Sequence, residues 1–392
     1  MTLDSRGWIH DESASSYLEC SLIGIIHLCS IYYLTYLTFM GHTMLEGKMK
    51  DSINWGFIGC GRVVQTKSGN AFRSIQDSSI HTIMRRDIQK ARESAKLFDA
   101  KFYCDNLHDF FSSEINAVYI ATPPGLHLQQ ASACCKMGLP VYIEKPLARN
   151  YVEAKAIIEM FEKQNVALYV GHYKRALPRF KYLKSIISSS VIGKVTSVHH
   201  ELNRVFSYEE ATGTWLYNPI LSGGGKFYDI APHSFDIISY LFGDIVDICG
   251  IAKNNGTLCP LEDSVVCSYE TSQGIIGTAR YNLISQKKFD RMFVFGTEGK
   301  MEFSIHGDAS VIVERYHNNG PTLYSIPDPE VVEQPMVQMV IRALQGEKTD
   351  ALRGRDALNT YWALDKVLDT FYHGRDDDFW NHNERWNGKS HV

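Results

Sequence analysis

One lysine in this sequence occupies a place where it could act on a reacting hydroxyl or carbonyl group. Lys145 follows a short apolar run and precedes Pro146, which favours an extended backbone and predicts that the lysine stands at the end of a strand. Neighbouring strand residues point to opposite faces, so we expect Glu144 to point away from it. A lysine ammonium there can donate hydrogen bonds to a hydroxyl or exchange protons. A solvated surface pair of Glu144 and Lys145 is the alternative interpretation.

A second candidate pair consists of a carboxylate and an imidazole four residues apart, Asp229 and His233. On a helix this spacing places both on one face, one turn apart, where the carboxylate can set the tautomer and the pKa of the histidine. Pro232 lies between them, so the helix is expected to begin near Asp229 or to be kinked. A structural histidine is the alternative. The sequence has no third metal ligand at a suitable spacing from Asp229 and His233, so no metal site is expected here.

The elements around Lys145 alternate between strand and helix. Strand-like runs begin at residue 53 and recur at 80–84, 117–122, 140–143 and 167–170, with helical stretches at 88–98, 126–137 and 150–162. Asn150 and Glu153 have the spacing of a capping box at the start of the last helix. This alternation indicates βαβ units and a doubly wound parallel sheet. We therefore predict a Rossmann dinucleotide-binding domain at residues 49–172.

A glycine-containing turn follows the first strand and is a candidate phosphate loop. Its glycines allow a tight turn and a close approach of the backbone to a pyrophosphate. The third glycine position of the fingerprint holds Val64, so an ordinary strand–turn–helix is the alternative. The predicted cofactor contacts in this turn are Gly59, Cys60, Gly61, Arg62 and Val63.

The end of the second strand carries information on the cofactor. Sites for NAD usually end this strand with an acidic residue that binds the ribose, whereas here Arg85 and Arg86 follow it. Two cations suit a 2′-phosphate, so NADP(H) is favoured and NAD(H) remains possible. Two solvated arginines at the start of a surface helix are the alternative.

The stretch from Ala121 to His127 has two interpretations. The stretch with Thr122, Pro123 and His127 is either a helix cap with a surface histidine or a loop that lies along the cofactor. The second interpretation is the prediction, and Glu144 and Lys145 are added to the predicted cofactor contacts.

The chain after residue 172 has a different pattern. A helical stretch at 174–187 is followed by strand-like runs at 195–202, 246–252, 264–269, 275–281, 292–295 and 309–314, and two helices are expected at 336–344 and 355–371. Strands joined by Gly- and Asn-containing turns indicate an open, mostly antiparallel sheet. We predict an α+β substrate and oligomerisation domain at 173–372, with Arg204, Trp215, Tyr217 and Tyr173 as candidates for recognising hydroxyl groups. The polar tail at 373–392 is expected to fray from Asp376.

Composition excludes several classes of function. The 392 residues include 40 basic and 44 acidic side chains, and a net charge of −4 gives no footprint for nucleic acid. The nine cysteines have neither disulfide nor metal-site spacing, which is typical of reduced thiols in the cytoplasm.

The first 48 residues contain an uncharged apolar stretch at 22–40, long enough to span a membrane. The residues before it are acidic, which is unlike a secretory signal. We interpret residues 1–48 as an extension outside the functional enzyme. A membrane anchor that leaves the catalytic part in the cytoplasm is the alternative.

Taken together, these motifs resemble those of the glucose-fructose oxidoreductase / inositol dehydrogenase (Gfo/Idh/MocA) family over residues 49 to 371. The resemblance rests on the Gly-Cys-Gly turn, Ala121-Thr122-Pro123 with His127, Glu144-Lys145-Pro146, and Gly223-Gly224-Gly225 followed by Asp229 and His233. It implies a Rossmann domain joined to an α/β domain, often assembled into dimers or tetramers through the open sheet.

The resemblance also implies chemistry. The expected reaction is reversible hydride transfer between the nicotinamide and a carbinol carbon of a sugar, polyol or related compound. Lys145 would contact the reacting oxygen, His233 would exchange its proton, and Asp229 would assist His233 and orient the substrate. Two other classes stay open, an NAD-dependent glycosidase with a transient oxidation and a non-catalytic dinucleotide-binding sensor. Retention of all three side chains argues against the sensor.

Overall fold

The computed structural model describes residues 52–205, 214–256, 259–318, 320–375 and 377–388. The predicted extension at 1–48, with its apolar stretch 22–40, lies outside these residues. Within them, no helix combines the length and the apolar character that crossing a membrane requires.

The first sheet consists of six parallel strands in the order β3-β2-β1-β4-β5-β6. The strands are β1 (Ile53–Ile58), β2 (Ser78–Met84), β3 (Phe102–Cys104), β4 (Ala117–Ile120), β5 (Val141–Ile143) and β6 (Leu168–Val170). The inner strands β4 and β5 are buried along their whole length, as in sheets covered by helices on both faces. The strand order reverses between β1 and β4, which is the point where such sheets bind ligands.

Helices connect these strands and cover the sheet. They are α1 (Gly69–Arg73), α2 (Ile88–Phe98), α3 (Leu107–Phe111), α4 (His127–Lys136) and α5 (Tyr151–Lys163), with a π-helical turn at Val64–Ser68 and a 3-10 turn at Pro124–Leu126. The predicted cap of α5 is present, because the Asn150 side chain accepts a hydrogen bond from the Glu153 backbone N–H. A doubly wound parallel sheet is thereby confirmed.

The second sheet has eight strands in the order β14-β13-β12-β11-β7-β10-β9-β8. They are β7 (Val195–Val205), β8 (Ile245–Lys253), β9 (Ser264–Thr271), β10 (Ile276–Ser285), β11 (Phe289–Gly296), β12 (Gly299–Phe303), β13 (Ser310–Arg315) and β14 (Thr322–Ser325). All neighbours pair antiparallel except β7 and β10, which are parallel. The sheet is therefore mostly antiparallel, as predicted.

The helices after β6 are α6 (Pro178–Ser188), α7 (Pro219–Ser222), α8 (Lys226–Phe242), α9 (Gln334–Leu344) and α10 (Gly354–Tyr372), with 3-10 turns at Tyr173–Ala176 and Trp215–Tyr217. Helices α8 and α10 pack on strands of the second sheet, whereas α9 packs against α1 of the first domain. Burial alternates along β9 and β10, so that one face packs inward and the other is exposed. Large apolar side chains on the exposed face include Val246, Ile251, Val266 and Ile276.

The prediction that the carboxyl-terminal tail frays is wrong. Two 3-10 turns, Asp377–Asn381 and Asn383–Asn387, follow α10, and Phe379 and Trp380 are buried. The Arg149 guanidinium lies 4.3 Å from the Trp380 ring centroid, a cation–π contact. This aromatic pair gives the polar tail enough apolar surface to pack. The predicted boundaries at residues 48/49 and 172/173 remain predictions.

Candidate active site

The site is organised around Lys145, just past the end of β5. Its Nζ donates hydrogen bonds to the backbone oxygen and to Oδ1 of Asp229, both at 2.9 Å. Glu144 points the other way and accepts a 2.6 Å hydrogen bond from the Tyr119 hydroxyl inside the first sheet's core. The opposite directions predicted for these two neighbours are confirmed. The peptide bond between Lys145 and Pro146 is cis.

Asp229 lies on α8, whose start is fixed by a distant carboxylate. Both oxygens of Glu262 accept 2.8 Å hydrogen bonds from the backbone N–H of Gly225, the residue that caps α8. A side chain on Gly225 would come within 2.5 Å of the Glu262 carbonyl oxygen, so the turn requires glycine. The helix therefore begins at Lys226, one turn earlier than the start expected near Asp229.

Pro232 is accommodated inside α8. Because proline has no N–H, the carbonyl of Tyr228 has no intrahelical partner four residues on. The next carbonyl, that of Asp229, receives the hydrogen bond from Lys145.

The glycine turn before α8 docks against the segment that carries Lys145. Gly223 has a φ of +82°, and a side chain there would come within 2.5 Å of the Arg149 backbone. Arg375 from the tail donates to the Gly223 carbonyl and stacks 4.6 Å from the Tyr228 ring centroid. Close backbone packing therefore holds the segment after Lys145 against the start of α8, which carries Asp229.

Lys145 and Asp229 form a half-buried ion pair, with 17% and 27% of their side chains exposed. Burial opposes ionisation of Asp229, but the Lys145 ammonium holds the pKa of this carboxyl below its usual value. The Asp229 carboxyl is therefore held in its ionised form beside the Lys145 ammonium.

His233 occupies a different environment. It is 7% exposed, and its Nδ1 is buried without a hydrogen-bond partner among the described residues. Burial, reinforced by the nearby cations Lys145 and Lys174, lowers the pKa of His233 well below its usual value. The imidazole is therefore neutral and available to accept a proton. No hydrogen bond joins it to Asp229 in the described structure; that carboxylate is bound to Lys145 instead.

Aromatic rings surround His233. The ring centroids of Tyr173, His306 and His172 lie 5.4, 5.8 and 6.3 Å away. His172 Nε2 lies 2.9 Å from the hydroxyl of Tyr361, which also accepts a hydrogen bond from the backbone N–H of Leu147. Burial lowers the pKa of His172 to about 4, so this second imidazole is also neutral.

The loop that carries His306 is fixed from both sides. Lys174 donates to the Ile305 carbonyl at 2.9 Å from behind, and Asp290 accepts from the Ser304 hydroxyl and from the His306 backbone. Burial and neighbouring cations lower the pKa of Lys174 to about 7. His306 is thus held beside His233 by long-range contacts.

A buried polar network of Lys67, Tyr173 and Glu333 lies near Glu144. Lys67 donates to the Tyr173 hydroxyl at 2.8 Å and lies 3.3 Å from Glu333 Oε1. Burial and the neighbouring Glu144 carboxylate raise the pKa of Glu333 to about 8. Glu333 is therefore mostly protonated at neutral pH, which relieves its repulsion with Glu144 in this enclosed space.

The turn after β1 has the shape of a dinucleotide cradle. Gly59 has a φ of +87°, and a side chain on it would come within 2.7 Å of Thr122 Cγ2 in the loop after β4. A side chain on Gly61, by contrast, would meet no atom within 4 Å, so this backbone faces open space. Arg62 and Val63 are exposed beside it. The residues present fit a pyrophosphate at the point where the strand order reverses.

The residues after β2 divide between packing and exposure. Arg85 donates to the Ser94 hydroxyl at 3.0 Å and is half-buried, whereas Arg86 is exposed and has no hydrogen-bond or ion-pair partner in the described residues. Asp87, the first acidic residue after the strand, accepts hydrogen bonds from the backbone N–H groups of Gln89 and Lys90. The cap of α2 therefore occupies this carboxylate.

Two other predicted cofactor residues are buried. Cys60 is 1% exposed, so only its backbone is open to a ligand. His127 is not a surface residue: Nδ1 lies 3.1 Å from the Leu147 carbonyl and Nε2 lies 2.8 Å from the Thr122 carbonyl. His127 ties the loop of Thr122 and Pro123 to the segment after Lys145. Its contact with a cofactor remains a prediction.

The structure brings Lys145, Asp229 and His233 together, and places Thr122 against the glycine turn. Four residues that surround His233 or Glu144 were not predicted from the sequence: Lys67, His172, His306 and Glu333. His172 follows the end of β6, and the rule that sites lie at the carboxyl ends of parallel strands could have found it. His306 and Glu333 lie in loops with no local signal. No group of three possible metal ligands occurs in the described chain.

Comparison with known proteins adds to this geometry. Residues 53–172 match the model of the oxidoreductase family with an NAD-binding Rossmann fold, and residues 180–302 match the GFO/IDH/MocA C-terminal domain. Oxidoreductase P35 of Formosa agariphila is 32% identical over 75% of this chain and 91% of its own length. The chain belongs to the Gfo/Idh/MocA oxidoreductase family. It is an NAD(P)-dependent oxidoreductase with a Rossmann fold.

Other family members are more distant. Myo-inositol 2-dehydrogenase of Thermotoga maritima is 28% identical over 63% of this chain and 73% of its own length. Among solved structures, levoglucosan dehydrogenase in complex with NADH and levoglucosan superposes with a TM-score of 0.74, covering 81% of this chain and 97% of that one, at 19% identity. At 19% identity, this superposition supports a shared fold.

Proposed function

We propose that this family member prefers NADP(H) and oxidises or reduces a CH–OH group of a sugar, polyol or related compound. The observation that supports the proposal is the Lys145–Asp229 ion pair next to a neutral, unpartnered His233. The names of its relatives, an inositol dehydrogenase and a levoglucosan dehydrogenase, support this substrate class.

The three side chains divide the chemistry. In the oxidation direction, the neutral His233 accepts the proton of the substrate hydroxyl. Lys145 donates a hydrogen bond to the same oxygen and stabilises the negative charge that develops on it. Asp229 keeps the ammonium oriented through the 2.9 Å contact with Lys145. The nicotinamide, when bound, supplies the hydride acceptor. Reduction reverses each proton transfer.

The cofactor preference rests on the residues after β2. The free guanidinium of Arg86 suits a 2′-phosphate, with which arginine forms strong charge-assisted hydrogen bonds. Asp87 is held by the cap of α2 and is a poor ribose acceptor in this arrangement. Gly59, Gly61 and the backbone of Cys60 would hold the pyrophosphate, and Thr122 and Pro123 would lie along the cofactor.

The exposed face of the second sheet suits self-association. It carries Val246, Ile251, Val266 and Ile276, and a hollow of about 470 Å³ lies between its strands, away from Lys145. Apolar surface of this kind favours burial against another subunit. We propose a homodimer or homotetramer in the cytoplasm.

The test is a titration of the purified full chain with NADPH and with NADH, followed by fluorescence. We expect tighter binding of NADPH, and an Arg86→Ala variant should weaken NADPH binding about tenfold while NADH binding is unchanged. Arg92→Ala, an exposed arginine on α2, is the matched control. Equal loss for both nucleotides would contradict the assignment of Arg86.

The reaction type is tested with a panel of sugars and polyols, in which the change in nicotinamide absorbance is compared with product formation. A dehydrogenase changes both in equal amounts. Glycoside cleavage without a net change in the nicotinamide would indicate the glycosidase alternative. Tight nucleotide binding without turnover of any compound would indicate the sensor.

A further inference from the structure

A second cavity, of about 450 Å³, opens beside the neighbouring rings of His172, His233 and His306. It lies between the end of β7, the start of β11 and the loop after β12. The lining includes Asn203, Arg204, Lys288, Arg291, Ser304 and His306. Since the His306 ring lies 5.8 Å from the His233 ring, the cavity adjoins the catalytic site. Its volume is typical of small-molecule sites.

Strand alternation places Arg204 on the catalytic side of the sheet. Arg204 shares a face of β7 with Leu202 and His200, both fully buried. The His200 ring contacts Tyr281, and Tyr281 contacts Phe227 on the catalytic helix α8 at a centroid distance of 4.9 Å. The guanidinium therefore belongs to the face of the sheet on which α8 packs.

The acidic groups of this cavity are already paired. Asp290 Oδ1 lies 3.1 Å from His200 Nε2, and Oδ2 accepts from the Ser304 hydroxyl and the His306 backbone. Asp308 accepts a 3.0 Å hydrogen bond from Arg291. Asp290 directs both oxygens to these donors and Asp308 is paired with Arg291, so neither carboxylate contacts Arg204 or Lys288.

Two cations in the lining have no partner. Neither Arg204 nor Lys288 makes a hydrogen bond or ion pair with any described residue, and Arg204 Nε is buried. A buried guanidinium N–H without an acceptor is costly, and a carboxylate or phosphate oxygen satisfies it with a strong charge-assisted bond. The lining thus carries three cations, Arg204, Lys288 and Arg291, against two carboxylates, and Arg204 and Lys288 have no acceptor among the described residues.

We propose that this cavity binds an acidic group of the substrate, so that the enzyme acts on a sugar or polyol that carries a carboxylate or a phosphate. Arg204 binds the anion, Lys288 adds attraction from the rim, and the reacting hydroxyl lies toward His233 and Lys145. This inference rests on the proposed function and narrows its substrate class.

The test uses the full chain saturated with reduced nicotinamide cofactor and measures the binding of matched compounds by calorimetry. Glucose is compared with glucuronate for the carboxylate and with glucose 6-phosphate for the phosphate. We expect the acidic compound with the correct anion to bind roughly tenfold to a hundredfold more tightly than glucose. High salt should reduce this preference.

Variants assign the effect to Arg204. Arg204→Gln should remove the preference and lower the affinity of the acidic compound to about that of glucose, while Arg204→Lys should retain part of the preference. Lys287→Gln, at the exposed neighbour of Lys288, is the matched control and should change nothing. Equal binding of neutral and acidic compounds, no binding of either acidic compound, or an equal loss for all compounds in Arg204→Gln would overturn the inference.

Parallel turnover assays separate this inference from the proposed function. If neutral sugars are oxidised and acidic compounds neither bind nor react, the proposed function stands and the acidic subsite is wrong. If acidic compounds bind through Arg204 and nothing is turned over, the subsite stands and the proposed dehydrogenase function fails.

Discussion

The lysine side and the histidine side of the cleft differ in how their charges are satisfied. Lys145 is paired with Asp229 through two 2.9 Å hydrogen bonds and is partly open to solvent. His233 is buried among other rings, and its Nδ1 is without a partner in the described structure. The lysine side thus holds an ion pair, and the histidine side holds a neutral imidazole that can accept a proton.

The two sides are therefore suited to different functions, electrostatic stabilisation and proton transfer. A satisfied ion pair supplies stable electrostatics and gains little from changing protonation. A neutral imidazole under strong desolvation is ready to accept a proton but unfavourable to keep charged, which suits a transient role. The comparison therefore predicts different consequences for removing each group.

Removal of the base should have the largest effect. His233→Ala eliminates proton transfer and should lower kcat by about 10²- to 10⁴-fold, with nucleotide affinity retained. Steady-state assays and a nucleotide titration measure the two quantities. His108→Ala, at a histidine in the solvent-exposed part of α3, is the control and should behave as wild type. A retained kcat would show that another group accepts the proton.

Removal of the fixed charge should come next. Lys145→Ala removes the ammonium that stabilises the developing alkoxide and should lower kcat by about 10²- to 10³-fold. Nucleotide binding should change little, because the glycine turn and Arg86 are untouched. The exposed Lys136 on α4 provides the control, Lys136→Ala. Unchanged turnover in Lys145→Ala would remove the lysine from the mechanism.

A smaller change on the same side tests whether Asp229 acts through the lysine. Asp229→Asn keeps an oxygen that can accept from Lys145 but removes the charge, so we expect a loss in kcat of roughly tenfold, typical of one charged hydrogen bond. The double variant with Lys145→Ala should lose no more than Lys145→Ala alone. Additive losses would instead indicate that Asp229 contacts the substrate or His233 directly.

The histidine side also predicts how stability depends on pH. The pKa of His172 falls from 6.5 to about 4 on folding because it is buried, so the unfolded chain binds more protons between these values. The free energy of unfolding should therefore decrease as pH falls from 6.5 toward 4, with on the order of 1–3 kcal/mol from this residue. Urea unfolding of the wild type and His172→Gln at pH 7 and pH 5 measures it. Equal pH dependence in both proteins would contradict the buried neutral state.

Local sequence signals predicted the lysine side well and the histidine side only in part. The strand end before Pro146, the glycine turn and the capping box at Asn150 each depend on a few adjacent residues, and their structures follow from backbone geometry. The spacing of Asp229 and His233 predicted that they share a helix. It did not predict that Asp229 would bind Lys145, because that contact joins residues 84 positions apart.

Several of the missed features depend on distant contacts. Glu262 caps α8 from 37 residues away, and Lys174 fixes the His306 loop through a contact across 131 residues. Strands β3, β12 and β14 were also missed: β3 and β14 are short and lack a clear alternation, and β12 alternates over only five residues. The packed tail was missed because its overall polarity hid the buried Phe379 and Trp380.

The most direct test of His233 as the base is the pH dependence of hydride transfer, measured in single-turnover oxidation with saturating nucleotide and substrate. We predict that the wild-type rate is constant near neutral pH and falls only in acid, with an apparent pKa below 6.5, as His233 becomes protonated. In His233→Asn, this acid limb should be absent and the residual rate low. An identical acid limb in the variant would show that His233 is not the base.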